Sequence, residues 1–171
     1  MIAPRFSEST TSAGPGAVHG PGGTLQAELA SGMEEIYAEV EREVSGASPR
    51  CDRSGACCRF GEYGHRLYAT RAEALLFASR HGAPQGPVGE ETCPYQRDNL
   101  CTAREGRPLS CRVFYCDPGW KERGEDLTER MLRRIGVLSE RLGIERGYRP
   151  FLEHLRAMRA DSGGGAGSWQ S

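Results

Sequence analysis

The residues in this chain best equipped for chemistry are its seven cysteines. They are Cys51, Cys57, Cys58, Cys93, Cys101, Cys111 and Cys116, and no cysteine lies before or after that window. Three chemistries compete for them. A disulfide framework fits poorly with an odd number. It also fits poorly with a start, Met1-Ile2-Ala3-Pro4-Arg5-Phe6-Ser7, that lacks the apolar stretch of a secretory signal. Unrelated thiols buried as small hydrophobes would not crowd into one window beside Arg50, Asp52, Arg59, Arg112 and Asp117. Ligation of metal by thiolates, as a zinc site or an iron–sulfur cluster, accounts for both the density and the polar company.

A tetrahedral zinc site gathers four ligands about 2.3 Å from one ion. Residues 51–58 offer Cys51, Cys57 and Cys58, with Gly55 free to adopt unusual backbone angles. Residues 93–116 offer Cys93, Cys101, Cys111 and Cys116. The adjacent Cys57 and Cys58 are not expected to bridge, because that geometry is strained. In an extended or turn conformation their thiols point apart, one toward a metal and the other toward a second metal or the core. Four thiolates on Zn²⁺ leave a net charge of about −2, which Arg50, Arg53, Arg59, Arg107 and Arg112 are near enough in sequence to offset. Phe60, Phe114 and Tyr115 are candidates for keeping water away from the sulfurs.

Spacing does not choose the metal. The paired knuckles of a zinc ribbon, the bacterial ferredoxin run and the Cys-x-x-Cys redox motif are all missing. His65 is a possible further ligand, although a surface imidazole is the simpler expectation. His81 sits near a helix end, where a cation favours the dipole, and His154 falls on a short helix. No paired carboxylates, Ser/His/Asp pattern or glycine motif for a nucleotide or methyl-donor cofactor stands out.

The elements that must position these cysteines are helical. From Thr24, Leu25, Leu29, Met33, Ile36, Tyr37, Val40 and Val44 recur at steps of three and four, with Gly46 as a stop. Arg66–Ala69 reads as a short strand. Thr70 and Glu73 are spaced as a capping box for a helix through Ala74, Leu75, Leu76 and Ala78 that ends at Gly82. Residues 82–92 are a Gly/Pro loop, and Pro94, Gly106 and Pro108 break up most of 93–116. After Pro118-Gly119, Leu127, Met131, Leu132, Ile135, Leu138 and Leu142 form a stripe ended by Gly143, with Asp126/Arg130 and Glu129/Arg133 placed to pair along its surface. Phe151, Leu152, Leu155 and Met158 mark a last helix after Pro150. Over residues 121–160 basic side chains outnumber acidic ones. An ordinary mixed surface is the expectation there, with the acidic first helix as the alternative partner.

The predicted fold is mainly α, with an irregular, loop-rich, cysteine- and metal-centred core and little β. The 171 residues suit one domain over 24–160, between disordered tails at 1–23 and 161–171 rich in glycine. Apolar runs fall far short of the ~20 residues that cross a bilayer. A formal net charge of −1 argues against a general nucleic-acid binder. The expected setting is the cytoplasm, with a metal ion as the partner and neither membrane nor nucleic acid.

Taken together, the two cysteine segments resemble the YkgJ-type cysteine-cluster family of zinc- or iron-chelating bacterial proteins, named for a CxxCxxCC motif. The first match is Cys51-x-x-Ser54-x-x-Cys57-Cys58. The second runs from Cys93-Pro94-Tyr95 to Cys101-Thr102-Ala103-Arg104-Glu105-Gly106-Arg107-Pro108-Leu109-Ser110-Cys111-Arg112-Val113-Phe114. Ser54 stands where the family has a cysteine, and Arg104 where it has a tyrosine. The resemblance implies metal chelation through the seven cysteines. Because relatives of the domain include flagellin lysine-N-methylase, it also admits an iron–sulfur modification or redox enzyme. A structural zinc module for protein interaction is a further alternative. A serine hydroxyl is a poor ligand beside thiolates, which makes Cys116 the candidate replacement for the missing cysteine. Cys116→Ser is therefore expected to lower bound metal, whereas Ser54→Ala leaves it unchanged. Metal analysis of both variants checks this, and full metal in Cys116→Ser removes Cys116 from the ligand set.

Overall fold

The computed structural model describes residues 21–163, with side chains described over 23–160. In chain order its elements are α1 (Pro21–Ala47), a 3-10 turn (Ala56–Cys58), α2 (Phe60–Tyr63), β1 (Tyr68–Thr70), α3 (Arg71–His81), β2 (Gln96–Arg97), β3 (Leu100–Cys101), α4 (Leu109–Val113), a second 3-10 turn (Pro118–Trp120), α5 (Lys121–Arg141), β4 (Tyr148–Pro150) and α6 (Phe151–Gly163). The described residues are thus mainly helical, with only two small two-stranded sheets. None of their helices is long and apolar enough to cross a membrane. Of the expected tails, residues 1–20 and 164–171 lie outside the described residues, while 21–23 and 161–163 belong to α1 and α6.

The apolar stripes of α1 and α5 face each other. Met33, Ile36, Tyr37, Val40 and Val44 are buried in one cluster with Leu127, Met131, Ile135 and Leu138. Gly32 lies against Leu138 while Glu43 meets Arg130, so the helices run antiparallel. Each such aliphatic side chain contributes about 1.5–3 kcal/mol when fully buried. Leu25 remains exposed, and the buried stripe begins at Leu29.

Charge reinforces this contact, contrary to the expectation of an ordinary mixed surface. Arg130 pairs with Glu43 at 2.7 Å and with Glu39 at 3.9 Å, and Arg134 pairs with Glu39. The basic side of α5 thus meets the acidic side of α1. Arg130 reaches across to α1, and of the two pairs expected along α5, Glu129/Arg133 forms at 3.8 Å.

The helix ends follow local geometry. Gly46 stays helical and is not the stop of α1. That role falls to Ser48, at φ 48°, whose N–H donates to the Val44 carbonyl at 2.8 Å. Its hydroxyl also donates to the Ser45 carbonyl, which helps a non-glycine residue occupy the left-handed region. Gly143 does terminate α5. At φ 65° it donates to Glu140 O, while Ile144 N–H donates to Ser139 O at 2.8 Å, which is the paired closure of a Schellman motif.

A second apolar cluster forms where β1 pairs antiparallel with β4, with Ala69 opposite Arg149. Phe77 of α3, Phe151, Leu152 and Leu155 of α6, Ala69 of β1 and Leu67 just before it fill it, together with Cys58 and Cys93. His154 of α6 is buried there. Its Nδ1 accepts from Arg149 Nε at 3.3 Å, so its Nε2–H donates to the Ala69 carbonyl at 2.9 Å. Burial holds the imidazole below its ordinary pKa despite that carbonyl.

The two clusters are tied together by one carboxylate. Glu73 completes the expected capping box. Its backbone N–H donates to Thr70 Oγ1, and its Oε2 accepts from Thr70 N at 2.7 Å and from Thr70 Oγ1 at 2.9 Å. Its Oε1 accepts from Leu109 N, at the start of α4, at 2.5 Å and from Tyr37 Oη of α1 at 3.2 Å. Burial pushes the carboxyl above its ordinary range, against the pull of those hydrogen bonds. Glu73→Ala leaves several buried donors unmatched, each costing about 1–3 kcal/mol. It is expected to lower unfolding free energy by about 3 kcal/mol in urea titration, while the exposed Glu129→Ala changes it by about 0.5 kcal/mol or less. Equal effects of the two would remove Glu73 from this role.

Candidate metal centre

The two cysteine segments meet through their backbones. Cys93 N–H donates to the Cys58 carbonyl at 2.8 Å, and Gly61 N–H donates to the Glu91 carbonyl at 3.0 Å. Gly55, at φ 75°, turns the chain into the 3-10 turn that carries Cys57 and Cys58. A side chain at Gly55 would also meet Asn99 at 3.0 Å, so the first segment sits directly on the β2–β3 hairpin. Ser54 has a local role, since its Oγ accepts from Ala56 N at 3.3 Å at the entry to that turn.

Residues 93–116 are more ordered than their glycines and prolines suggested. Asp98 and Asn99 both take positive φ, 49° and 63°, and form the two-residue turn between β2 and β3. Such turns suit the right-handed twist of a hairpin, and Asx residues tolerate the left-handed region. The hairpin presents Cys101. Helix α4, anchored by Glu73 at Leu109, presents Cys111. Arg50 then ties the two outermost cysteines together. Its N–H donates to Asp117 Oδ2 and its Nη2 to the Cys116 carbonyl, each at 3.0 Å.

All seven cysteines line one cavity of about 530 Å³. All seven are free thiols, with Cys51 exposed and Cys58 and Cys93 buried. Cys57 Sγ and Cys58 Sγ are 3.9 Å apart. The expectation that these neighbours point apart is therefore wrong, because a 3-10 turn swings consecutive side chains through far less than the reversal between neighbours on a strand. Among the described residues, no three His, Cys, Asp or Glu side chains converge closely enough to enclose a single ion. The sulfurs are arrayed around a space.

The thiols feel one another. The contact with Cys58, followed by burial, raises Cys57 far above the ordinary thiol range. For Cys58 the contact with Cys57 acts downward but is outweighed by Cys93 and burial, and its pKa is pushed up to about 12. Cys111 keeps some surface open to the cavity yet is densely enclosed. Burial and then the neighbouring Cys58 push it well up, while the Arg107 guanidinium pulls it down. Arg107 is held in place by the Arg104 and Cys111 carbonyls, at 3.1 and 3.3 Å.

Of the five arginines expected to balance the thiolates, Arg53 and Arg107 line the cavity, and Arg104 joins them. Arg112 faces away. It is buried over the Tyr37 ring at 4.0 Å, pairs with Glu41 at 2.8 Å and donates to the Glu105 and Arg107 carbonyls. Arg50 pairs with Asp52, and Arg59 with Glu62. Phe60, Phe114 and Tyr115 line the cavity as expected. His65 does not line it. Instead of lying free at the surface, its ring packs between Phe114, at 4.8 Å, and Phe60, at 5.5 Å. His81 leans on Phe77 and is held toward its neutral form by burial and then Arg80, which overrides the expected attraction of a cation to the helix end.

In comparisons with protein-family models, curated proteins and solved structures, the chain matches none.

Burial and raised thiol pKa values together set an order of reactivity, since the thiolate is the nucleophile. In metal-free protein treated with iodoacetamide at pH 8, Cys51 is expected to be alkylated at least tenfold faster than Cys57, Cys58 and Cys111. Peptide mass spectrometry over time reads that order, and uniform labelling would contradict the enclosed arrangement.

Proposed function

We propose that this chain is a metal-binding cysteine-cluster protein whose central cavity holds an iron–sulfur cluster. The observation that carries this reading is that all seven cysteines line one cavity of about 530 Å³. Seven thiols exceed the four that a single tetrahedral ion accepts, and ligands spread around a space suit a group of several metals. The inner ligands in this reading come from Cys57, Cys58, Cys93, Cys101 and Cys111, whose charges influence one another. Cys51 and Cys116 are the outer candidates. When bound, such a cluster supplies one-electron chemistry or a structural crosslink.

The chain's own residues prepare the site. Glu73 fixes the start of α4 and with it Cys111. The Cys93–Cys58 backbone bond joins the two segments. Arg107 supplies positive charge beside Cys57 and Cys111, easing the deprotonation that ligation requires. Phe60 and Phe114 limit water, which strengthens the electrostatics within. Free thiols of this kind persist in a reducing compartment such as the cytoplasm, and the resemblance of residues 51–116 to the zinc- or iron-chelating family points the same way.

Zinc is the second reading, favoured by one distance. Thiolates on a tetrahedral zinc lie about 3.8 Å apart by the 2.3 Å Zn–S bond, and Cys57 and Cys58 stand at 3.9 Å. Anaerobic purification separates the two. The cluster reading expects brown protein with sulfide-to-iron absorption and comparable iron and labile sulfide, both falling by more than half in Cys58→Ser and Cys111→Ser. Colourless protein carrying zinc supports the second reading. Protein free of metal after anaerobic reconstitution with iron and sulfide, and after zinc addition, overturns both.

A further inference from the structure

The cavity offers more than sulfur. Three guanidinium-bearing side chains line it, Arg53, Arg104 and Arg107, and no aspartate or glutamate does. Arg107 is committed to the thiols and to two backbone carbonyls. Arg53 and Arg104 are different. Both are exposed, and among the described residues neither guanidinium has a hydrogen bond or an ion pair. The acid next to Arg53 in sequence, Asp52, is occupied by Arg50 at 3.2 Å.

Arg53 is also held at φ 51°, the left-handed region that a side chain of its size rarely enters. Such local strain persists where surrounding structure enforces it and concentrates at binding sites. Arg104 comes from the loop between β3 and α4, in the other cysteine segment, so the two unpaired cations approach the same space from separate parts of the chain. The wall beside them is aromatic, with Phe77, Tyr95, Phe114 and Phe151 all facing the cavity.

We infer that the cavity binds a small organic carboxylate with an apolar body, its carboxylate held by Arg53 and Arg104 and its body against the aromatic wall. Unpaired guanidiniums favour an oxyanion, because planar N–H pairs match a carboxylate and the cations lose nothing by giving up another partner. An aromatic wall disfavours a purely inorganic anion, which would exchange water for apolar surface. The inference rests on the cluster reading for what the carboxylate would lie beside, but its binding test does not depend on iron.

The test is a calorimetric titration of anaerobically purified full-length protein with phenylacetate, with inorganic phosphate and benzyl alcohol as charge-only and body-only probes. Iron and labile sulfide are assayed on the same samples. Phenylacetate is expected to bind at least tenfold more tightly than either control. The double variant Arg53→Gln/Arg104→Gln is expected to weaken it at least tenfold with iron and sulfide unchanged. No phenylacetate binding, equal binding of phosphate, or unaltered affinity in the double variant would overturn the carboxylate site without touching the cluster reading. Loss of iron from the double variant in step with affinity would also overturn it, because the arginines would then serve the cluster. Wild type that stays free of iron after anaerobic reconstitution with iron and sulfide, yet still binds phenylacetate through these arginines, would sink the cluster reading and leave this site standing.

Discussion

A single buried carboxylate holds the arrangement together. Glu73 sits at the N-terminus of α3, where a capping box needs it, but it also accepts from Tyr37 of α1 and from the first N–H of α4. A buried carboxylate is costly unless its oxygens are well matched. Here both oxygens accept from named donors, and the cost becomes a constraint, since none of the three elements can shift without unmatching it. The constraint passes to the cavity through α4, because Leu109 and Cys111 share that helix.

Around this anchor the molecule divides its labour. One apolar cluster, dominated by α1 and α5, needs nothing from the cysteines and is stitched on its outer side by Arg130 and Arg134 to Glu39 and Glu43. The other takes in α3, α6, the β1–β4 pair and several cysteine side chains, so its packing and the sulfur cavity are continuous. Phe77 and Phe151 belong to both, as members of that cluster and as cavity wall. Changes in the cavity are therefore felt first by α3 and α6 and least by the α1–α5 pair.

Electrostatics sorts the arginines by what each can reach. Arg112, close in sequence to Cys111, is drawn to Glu41 and to the face of Tyr37. Arg107 remains by the thiols because two carbonyls hold it there. Arg53 and Arg104 line the same cavity with no hydrogen bond or ion pair to their guanidiniums among the described residues. Nearness along the chain to a cysteine did not predict which would face sulfur, because a long side chain turns toward the strongest acceptor within its span.

What spacing along the chain determined was local. The stripes of α1 and α5, the Thr70–Glu73 capping box and the Gly143 terminator all depend on residues a few positions apart, whose relative placement a helix or turn dictates. The Asp98-Asn99 turn was equally local, and its signal was available in two Asx residues between short extended pairs. Only tertiary structure decided that Cys58 and Cys93 lie side by side, that all seven cysteines share one space, that Glu73 reaches Tyr37 and Leu109, and that α5 turns its cations to α1. Those contacts join residues tens of positions apart, and which of them form depends on how already-formed helices pack, a competition among many partners that no local pattern records.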